Sequence, residues 1–304
     1  MSAPIVEARH FWPAQNVLGE ERDQPAHIRL DPVTYGYTID KYPETAFVTA
    51  IALRQNKQDI IGLTQHAVAV LEVSTPDASS PTRAEDVRKT ERRIKKIIAR
   101  PLTDLSAENV EMRFNDGGCD PSGRMFAGST NHSPGADGRG EFFRIEPDGK
   151  ATRVFDKISC SNGLGWSPDS KTMCRCLNQL ATPFSPSPRI FAPAPTPLDP
   201  SRPPQGVYDG LTVDGSGNVW AARWQDGRVM GFRPDGSLIV NIVTPKCLLP
   251  TIPCFGGEPF GVSTTLGTYP YSGDVFVVDF GPGSEMRKIV GEEWKGAERH
   301  RFAA

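Results

Sequence analysis

No run in this chain approaches the roughly 18 consecutive apolar residues of a membrane-spanning helix. The opening Met1-Ser2-Ala3-Pro4-Ile5-Val6-Glu7 lacks the apolar core of a secretory signal. An excess of positive charge is also missing: 34 Lys and Arg stand against 36 Asp and Glu, a net charge of −2. That balance argues against nucleic acid, whose binding needs a basic face. Cysteine is scarce and unpatterned. The six, at 119, 160, 174, 176, 247 and 254, form no disulfide framework, and no second Cys or His pair completes a zinc motif beside Cys174-Arg175-Cys176. These absences point to a cytoplasmic chain with reduced thiols and with neither membrane nor nucleic acid as a partner. The pattern sets no oligomeric state.

What the chain has in quantity is turn residues, with 29 Gly and 28 Pro in 304, as many short strands require. Three stretches share one pattern: Asn115-Asp116-Gly117 to Asp120-Pro121-Ser122-Gly123, Asn162-Gly163 to Ser167-Pro168-Asp169-Ser170, and Asp209-Gly210 to Asp214-Gly215-Ser216-Gly217. In each, an Asp or Ser falls five residues after the leading Asn or Asp, and a Gly or Ser falls eight after. The leading residues lie 47 apart (162 − 115 and 209 − 162). A period of this size marks a propeller blade or another stacked repeat. Dividing 304 by 47 gives about 6.5, which suits six blades with ragged ends. The reading is therefore a single all-β domain over 1–304, a six-bladed β-propeller. Equivalent points of all blades face one central channel, so Asn115, Asn162 and Asp209 are expected to converge there.

Between 110 and 240 the strand signals are good. Arg124–Thr130 and Asn218–Arg223 are short apolar runs that each follow a Gly-containing turn. Gly140–Ile145 leads through Pro147-Asp148-Gly149 into Thr152–Phe155, and Arg228–Phe232 leads through Pro234-Asp235-Gly236 into Leu238–Val240. Two regions break the pattern. Residues 77–107 carry Arg88-Lys89, Arg92-Arg93 and Lys95-Lys96 with little β signal, and read as a basic insertion in which 84–99 forms a short helix. Residues 174–205 hold nine prolines from Pro183 to Pro204. Proline removes ladder donors, so this segment reads as irregular.

Asn and Asp offer oxygen ligands suited to calcium, magnesium or manganese, although Asn-Gly and Asp-Gly are also common hairpin turns. Arg113 lies two residues before Asn115, so strand alternation puts both on one face. Facing a channel, Arg113 would bind an anionic or carbonyl-bearing group.

Four motifs then carry a resemblance. They are Arg113-Phe114-Asn115-Asp116-Gly117, Ser161-Asn162-Gly163-Leu164-Gly165-Trp166, Tyr208-Asp209-Gly210-Leu211 and Thr251-Ile252-Pro253-Cys254-Phe255-Gly256-Gly257. In this order they resemble the senescence marker protein, regucalcin and gluconolactonase family of six-bladed propeller lactonases. The resemblance implies one channel cation, calcium first, with zinc, manganese or magnesium as alternatives, held by Glu20, Asn162 and Asp209. It also implies that Arg113 and Asn115 contact a sugar lactone and that Asp209 is the general base. The expected function is metal-dependent lactone hydrolysis; the alternative is a calcium-binding regulatory propeller without turnover. Three departures stand out. Glu21-Arg22-Asp23-Gln24 replaces the family's continuation after Leu18-Gly19-Glu20, which predicts an incomplete first blade; the 174–205 segment replaces expected strands; and the usual strand after Gly257 looks absent.

Overall fold

The computed structural model describes residues 3–12, 25–30, 36–77, 80, 81, 83, 86–131, 138–178, 191, 206–256, 259–264, 274–297 and 300–303. It divides into two compact units, Asp23–Ser161 with Arg299–Ala304, and Met1–Arg22 with Asn162–Glu298. Strands are numbered β1 to β22 along the chain.

In the 23–161 unit, β3 (Ala26–Leu30) and β4 (Tyr37–Lys41) pair antiparallel, and β8 (Val87–Glu91) joins β4 in parallel, giving three strands. Next come β5 (Val48–Leu53), β6 (Ile60–Thr64), β7 (Val68–Leu71) and β9 (Ile94–Ala99), all antiparallel. A third sheet is the meander of β10 (Met112–Cys119), β11 (Met125–Asn131), β12 (Gly140–Ile145) and β13 (Ala151–Ile158). The start of β14 (Cys160–Trp166) joins it where Cys160 pairs with Thr130. Phe114, Met125, Phe143 and Ile145 pack with Ile61, Leu63 and Val70 in one core, to which the terminal segment adds fully buried Phe302. That segment is tied in by Phe302 N–H to the Leu53 carbonyl and Ala303 N–H to the Gly123 carbonyl.

In the 162–298 unit, β14 pairs with β15 (Met173–Asn178). The sheet of β16 (Val207–Val213), β17 (Val219–Trp224), β18 (Arg228–Phe232) and β19 (Leu238–Val243) gains β1 (Ile5–Glu7) as a parallel edge. A last sheet runs β20 (Pro250–Phe255), β21 (Pro259–Thr264), β22 (Val275–Asp279) and then β2 (Arg9–Trp12). The N-terminal β2 thus completes the sheet of the C-terminal β22. Trp220, Val240, Phe276, Phe280 and Met286 form the core, Met286 from the short helix α1 (Glu285–Val290).

The repeat has a plain structural cause. The residues five after each leading Asn or Asp lock a tight turn. Asp120 Oδ1 accepts from Arg124 N at 2.9 Å, Ser167 Oγ from Thr172 N at 3.0 Å, and Asp214 Oδ1 from Asn218 N at 2.9 Å. The residues eight after, Gly123, Ser170 and Gly217, all have left-handed φ, of 78°, 62° and 83°. The Pro-Asp-Gly turns behave alike, with Gly149 at 91° and Gly236 at 86°. Asn162-Gly163 and Asp209-Gly210 themselves lie inside strands, so the hairpin-turn reading of these pairs does not hold.

Two expectations are corrected. Residues 87–91 and 94–99 form strands, not a helix within an insertion, and β9 completes its sheet. Ile94, Ile97 and Ile98 supply the partly buried β-branched positions, while the charges are met by acids outside the strands: Lys95 Nζ reaches Asp59 at 2.9 Å and Arg88 reaches Asp77 at 3.0 Å. The strand after Gly257 is also present, as β21 paired on both sides. Its proline opens the strand, and Pro250 and Pro253 lie on the edge strand β20, where a missing N–H costs little. Of the 174–205 segment, 174–178 continue β15 and Phe191 packs near Phe232; 179–190 and 192–205 lie outside the described residues, so the irregular reading falls there.

Candidate active site

Asn115 and Asp209 both lie where strand pairing slips by an extra residue. Phe114 faces Ser129 and Asp116 faces Gly128, so Asn115 is the extra residue of a bulge. Tyr208 faces Arg223 and Leu211 faces Ala221, so Asp209 and Gly210 share one opposite residue. Such bulges bend the strand and re-aim a side chain.

In the 162–298 unit the structure brings Asn162 and Asp209 together. Asn162 is 4% exposed, and its Nδ2 donates to the Tyr208 carbonyl at 3.2 Å. This bond directs the amide oxygen away from that carbonyl. Gly163 permits the approach, since a Cβ there would lie 2.7 Å from the Asp209 carbonyl oxygen. Burial pushes the neighbouring Tyr208 phenol up to about 12, against the opposing pull of Arg223, whose guanidinium stands 4.6 Å over its ring. Tyr208 is therefore a neutral phenol at physiological pH and no base. An amide oxygen and a carboxylate, the groups that Asn162 and Asp209 carry, are hard donors of the kind that suit a divalent cation such as calcium. Glu20, the third expected ligand, lies outside the described residues.

In the 23–161 unit the structure brings Arg113 and Asn115 together. Arg113 Nη1 donates to Asn115 Oδ1 at 2.7 Å and to the Phe114 carbonyl at 2.8 Å. The guanidinium also stands 5.4 Å over the Phe47 ring. Asn115 Nδ2 donates to the Ser161 carbonyl at 2.7 Å and approaches Cys160 Sγ at 3.2 Å. Both ends of the Asn115 amide are thus engaged, and its orientation is fixed by a carbonyl on one side and a guanidinium on the other. Burial lowers the Arg113 pKa, partly offset by Cys160. Phe47 and Cys160 were not foreseen from sequence. Each lies 45 or more residues from its contact, and neither carries a local motif.

Residues 22–261 match the family described as SMP-30/Gluconolactonase/LRE-like region. The chain belongs to that family. Among relatives, the 6-deoxy-6-sulfogluconolactonase of Pseudomonas putida is 31% identical over 187 residues, covering 54% of this chain and 60% of the relative. Pentonolactonase XacC of Haloferax volcanii is 31% identical over 156 residues, 48% of this chain and 50% of the relative. Regucalcin of Xenopus laevis is 30% identical over 173 residues, 52% and 56% respectively. The chain thus spans between half and three-fifths of the length of these family members. Two solved structures align over 99% of it. One is a luciferin-regenerating enzyme, with TM-score 0.67, 17% identity and 97% of that chain covered. The other is a calcium-binding regucalcin from Agrobacterium tumefaciens, with TM-score 0.66, 20% identity and 95% covered. The fold is all-β and propeller-like.

Proposed function

We propose that the protein hydrolyses a sugar-acid lactone at a site that holds one divalent cation, within a single six-bladed propeller domain spanning 1–304. The observation that carries this reading is the close approach of β14 to β16, where a Cβ on Gly163 would lie 2.7 Å from the Asp209 carbonyl oxygen and the Asn162 amide nitrogen is anchored to the Tyr208 carbonyl at 3.2 Å. Relatives named as a pentonolactonase and a sulfogluconolactonase support the lactone as substrate. Glu20, Asn162 and Asp209 would hold the cation, calcium by the match to oxygen donors. Bound there, it supplies Lewis acidity at the lactone carbonyl.

The chain's own groups do the rest. Asp209 accepts the proton of the attacking water as general base. Water adds to the carbonyl carbon, the ring C–O bond breaks, and the leaving alkoxide takes up a proton to give the hydroxy acid. Arg113, aimed by Asn115 and Phe47, holds the substrate's carbonyl or ring oxygens. No disulfide joins the six cysteines, which supports a reducing, cytoplasmic setting.

Asp209→Ala or Asn162→Ala is expected to abolish both cation binding in calorimetric titration and hydrolysis, a loss of about a thousandfold or more for Asp209. Turnover like the wild type in either variant sinks the assignment. The calcium-binding description of one structural neighbour favours a second reading, a cation-binding propeller without turnover. Saturable binding with no hydrolysis of any aldonolactone would select it.

A further inference from the structure

The two glycines that follow Asn162 and Asp209 stand in matching places. A Cβ on Gly163, in β14, would lie 2.7 Å from the carbonyl oxygen of Asp209 in β16. A Cβ on Gly210, in β16, would lie 2.6 Å from the carbonyl oxygen of Thr251 in β20. Thr251 therefore stands to Asp209 as Asp209 stands to Asn162. The strand register agrees. Pro250 faces Thr264 and Ile252 faces Ser263, which leaves Thr251 as the extra residue of a bulge, just as Asp209 lies in the bulge of its own strand. The interval 251 − 209 is 42 rather than 47 and no Asn-Gly or Asp-Gly marks it, so the repeat in the sequence passes Thr251 by.

From this equivalence we propose that Thr251 is the third member of the row begun by Asn162 and Asp209, and that its hydroxyl binds a ring hydroxyl of the polyhydroxylated substrate. The proposal rests on the lactonase reading for its ligand, but not for the placement of the residue. A threonine hydroxyl both donates and accepts a hydrogen bond, which suits a polyol and adds no charge beside the Asp209 carboxylate. Such a contact sets specificity: a site built to hydrogen-bond a substrate hydroxyl discriminates against analogues that lack it.

The test compares wild type, Thr251→Val and Thr251→Ser on an aldonolactone and on γ-butyrolactone, which has no ring hydroxyl. Thr251→Val is expected to lose about tenfold in kcat/KM on the aldonolactone, chiefly through KM. Little should change on γ-butyrolactone, and Thr251→Ser should recover most of the loss. No loss on either lactone, or an equal loss on both, overturns the hydroxyl contact.

A second readout needs no turnover. With methyl-labelled threonine, the Thr251 methyl resonance, identified by its disappearance in Thr251→Val, is expected to broaden on addition of manganese and to stay sharp in Asp209→Ala. Manganese binding that leaves this resonance unchanged overturns the placement, whether or not any lactone is cleaved. Broadening in a protein that cleaves no lactone sinks the lactonase reading and, with it, the ligand assigned to Thr251, while the placement stands. A wild type that binds no manganese overturns both.

Discussion

In the 162–298 unit the candidate residues come from three separate strands, β14, β16 and β20, and glycine lets these backbones close on one another in the row proposed for Asn162, Asp209 and Thr251. In the 23–161 unit Arg113 and Asn115 come from one strand and are fixed by side-chain hydrogen bonds, an aromatic face and a distant carbonyl. The first arrangement is set by the main chain and tolerates no added carbon. The second is set by side chains and depends on each partner. Oxygen donors for a cation need a rigid mutual spacing, which close-packed backbone provides. A guanidinium that meets a ligand needs aim, which an amide clamp provides.

A double-mutant cycle would break this contrast most directly. If Asn115 works by aiming Arg113, Arg113→Ala lowers kcat/KM about a hundredfold and Asn115→Ala about tenfold. The double variant is then no worse than Arg113→Ala alone. Losses that multiply would show that Asn115 touches the substrate in its own right, and the two units would then differ less than the geometry suggests.

The glycines give the next largest effect. At Gly210 an added methyl meets the Thr251 carbonyl and the Ile252 Cβ, both at 2.6 Å, and neither is the free end of a side chain. Gly62 in the 23–161 unit is crowded instead by the side chain of Leu71, whose Cγ would lie 2.9 Å away and whose methyl groups can turn. Gly210→Ala is expected to destabilise by about 2–3 kcal/mol and Gly62→Ala by about 1 kcal/mol, read from denaturant midpoints. Equal costs would mean that β16 and β20 can spread apart, contrary to a row held by the main chain.

How much of this was legible follows the same division. The turns were readable because their chemistry is local: Asp120 and Asp214 cap the turns they open, and Gly149 and Gly236 supply the positive φ. The pairing of Arg113 with Asn115 followed from alternation, although the bulge at Asn115 was hidden. Bulges are facts of register, and register depends on what lies across the sheet. Thr251 opens the fourth motif of the resemblance, yet for that reason nothing local marks it as a site residue. The basic stretch reads as a helix because Arg88, Lys89, Lys95 and Lys96 dominate it and mask the β-branched Ile94, Ile97 and Ile98, while the acids that answer those charges lie elsewhere in the sequence, as Asp59 does for Lys95.

The same stretch carries the smallest of the expected effects, in the three-stranded sheet of the 23–161 unit. His27, Asp40 and Thr90 occupy one cross-strand row over β3, β4 and β8. The Asp40 carboxylate is 1% exposed, accepts from Thr90 Oγ1 at 2.6 Å and from Ser74 N at 2.9 Å, and has Arg92 Nε at 3.6 Å and His27 Nδ1 at 3.7 Å. Burial alone would raise its pKa, but the nearby His27 imidazole and the hydrogen bonds from Thr90 and Ser74 outweigh burial and hold it well below the usual carboxylate range. A carboxyl depressed in the folded state stabilises fully above its unfolded pKa, about 3.9. That contribution is lost as pH falls through this value toward the folded one. Asp40→Asn is therefore expected to be less stable than wild type at pH 7 and to lose stability less steeply on acidification below about pH 5, as measured by denaturant midpoints in far-UV circular dichroism. Parallel slopes for the two proteins would mean that Asp40 does not set the acid sensitivity of this sheet, and that the parallel joining of β8 to β4 rests on packing alone.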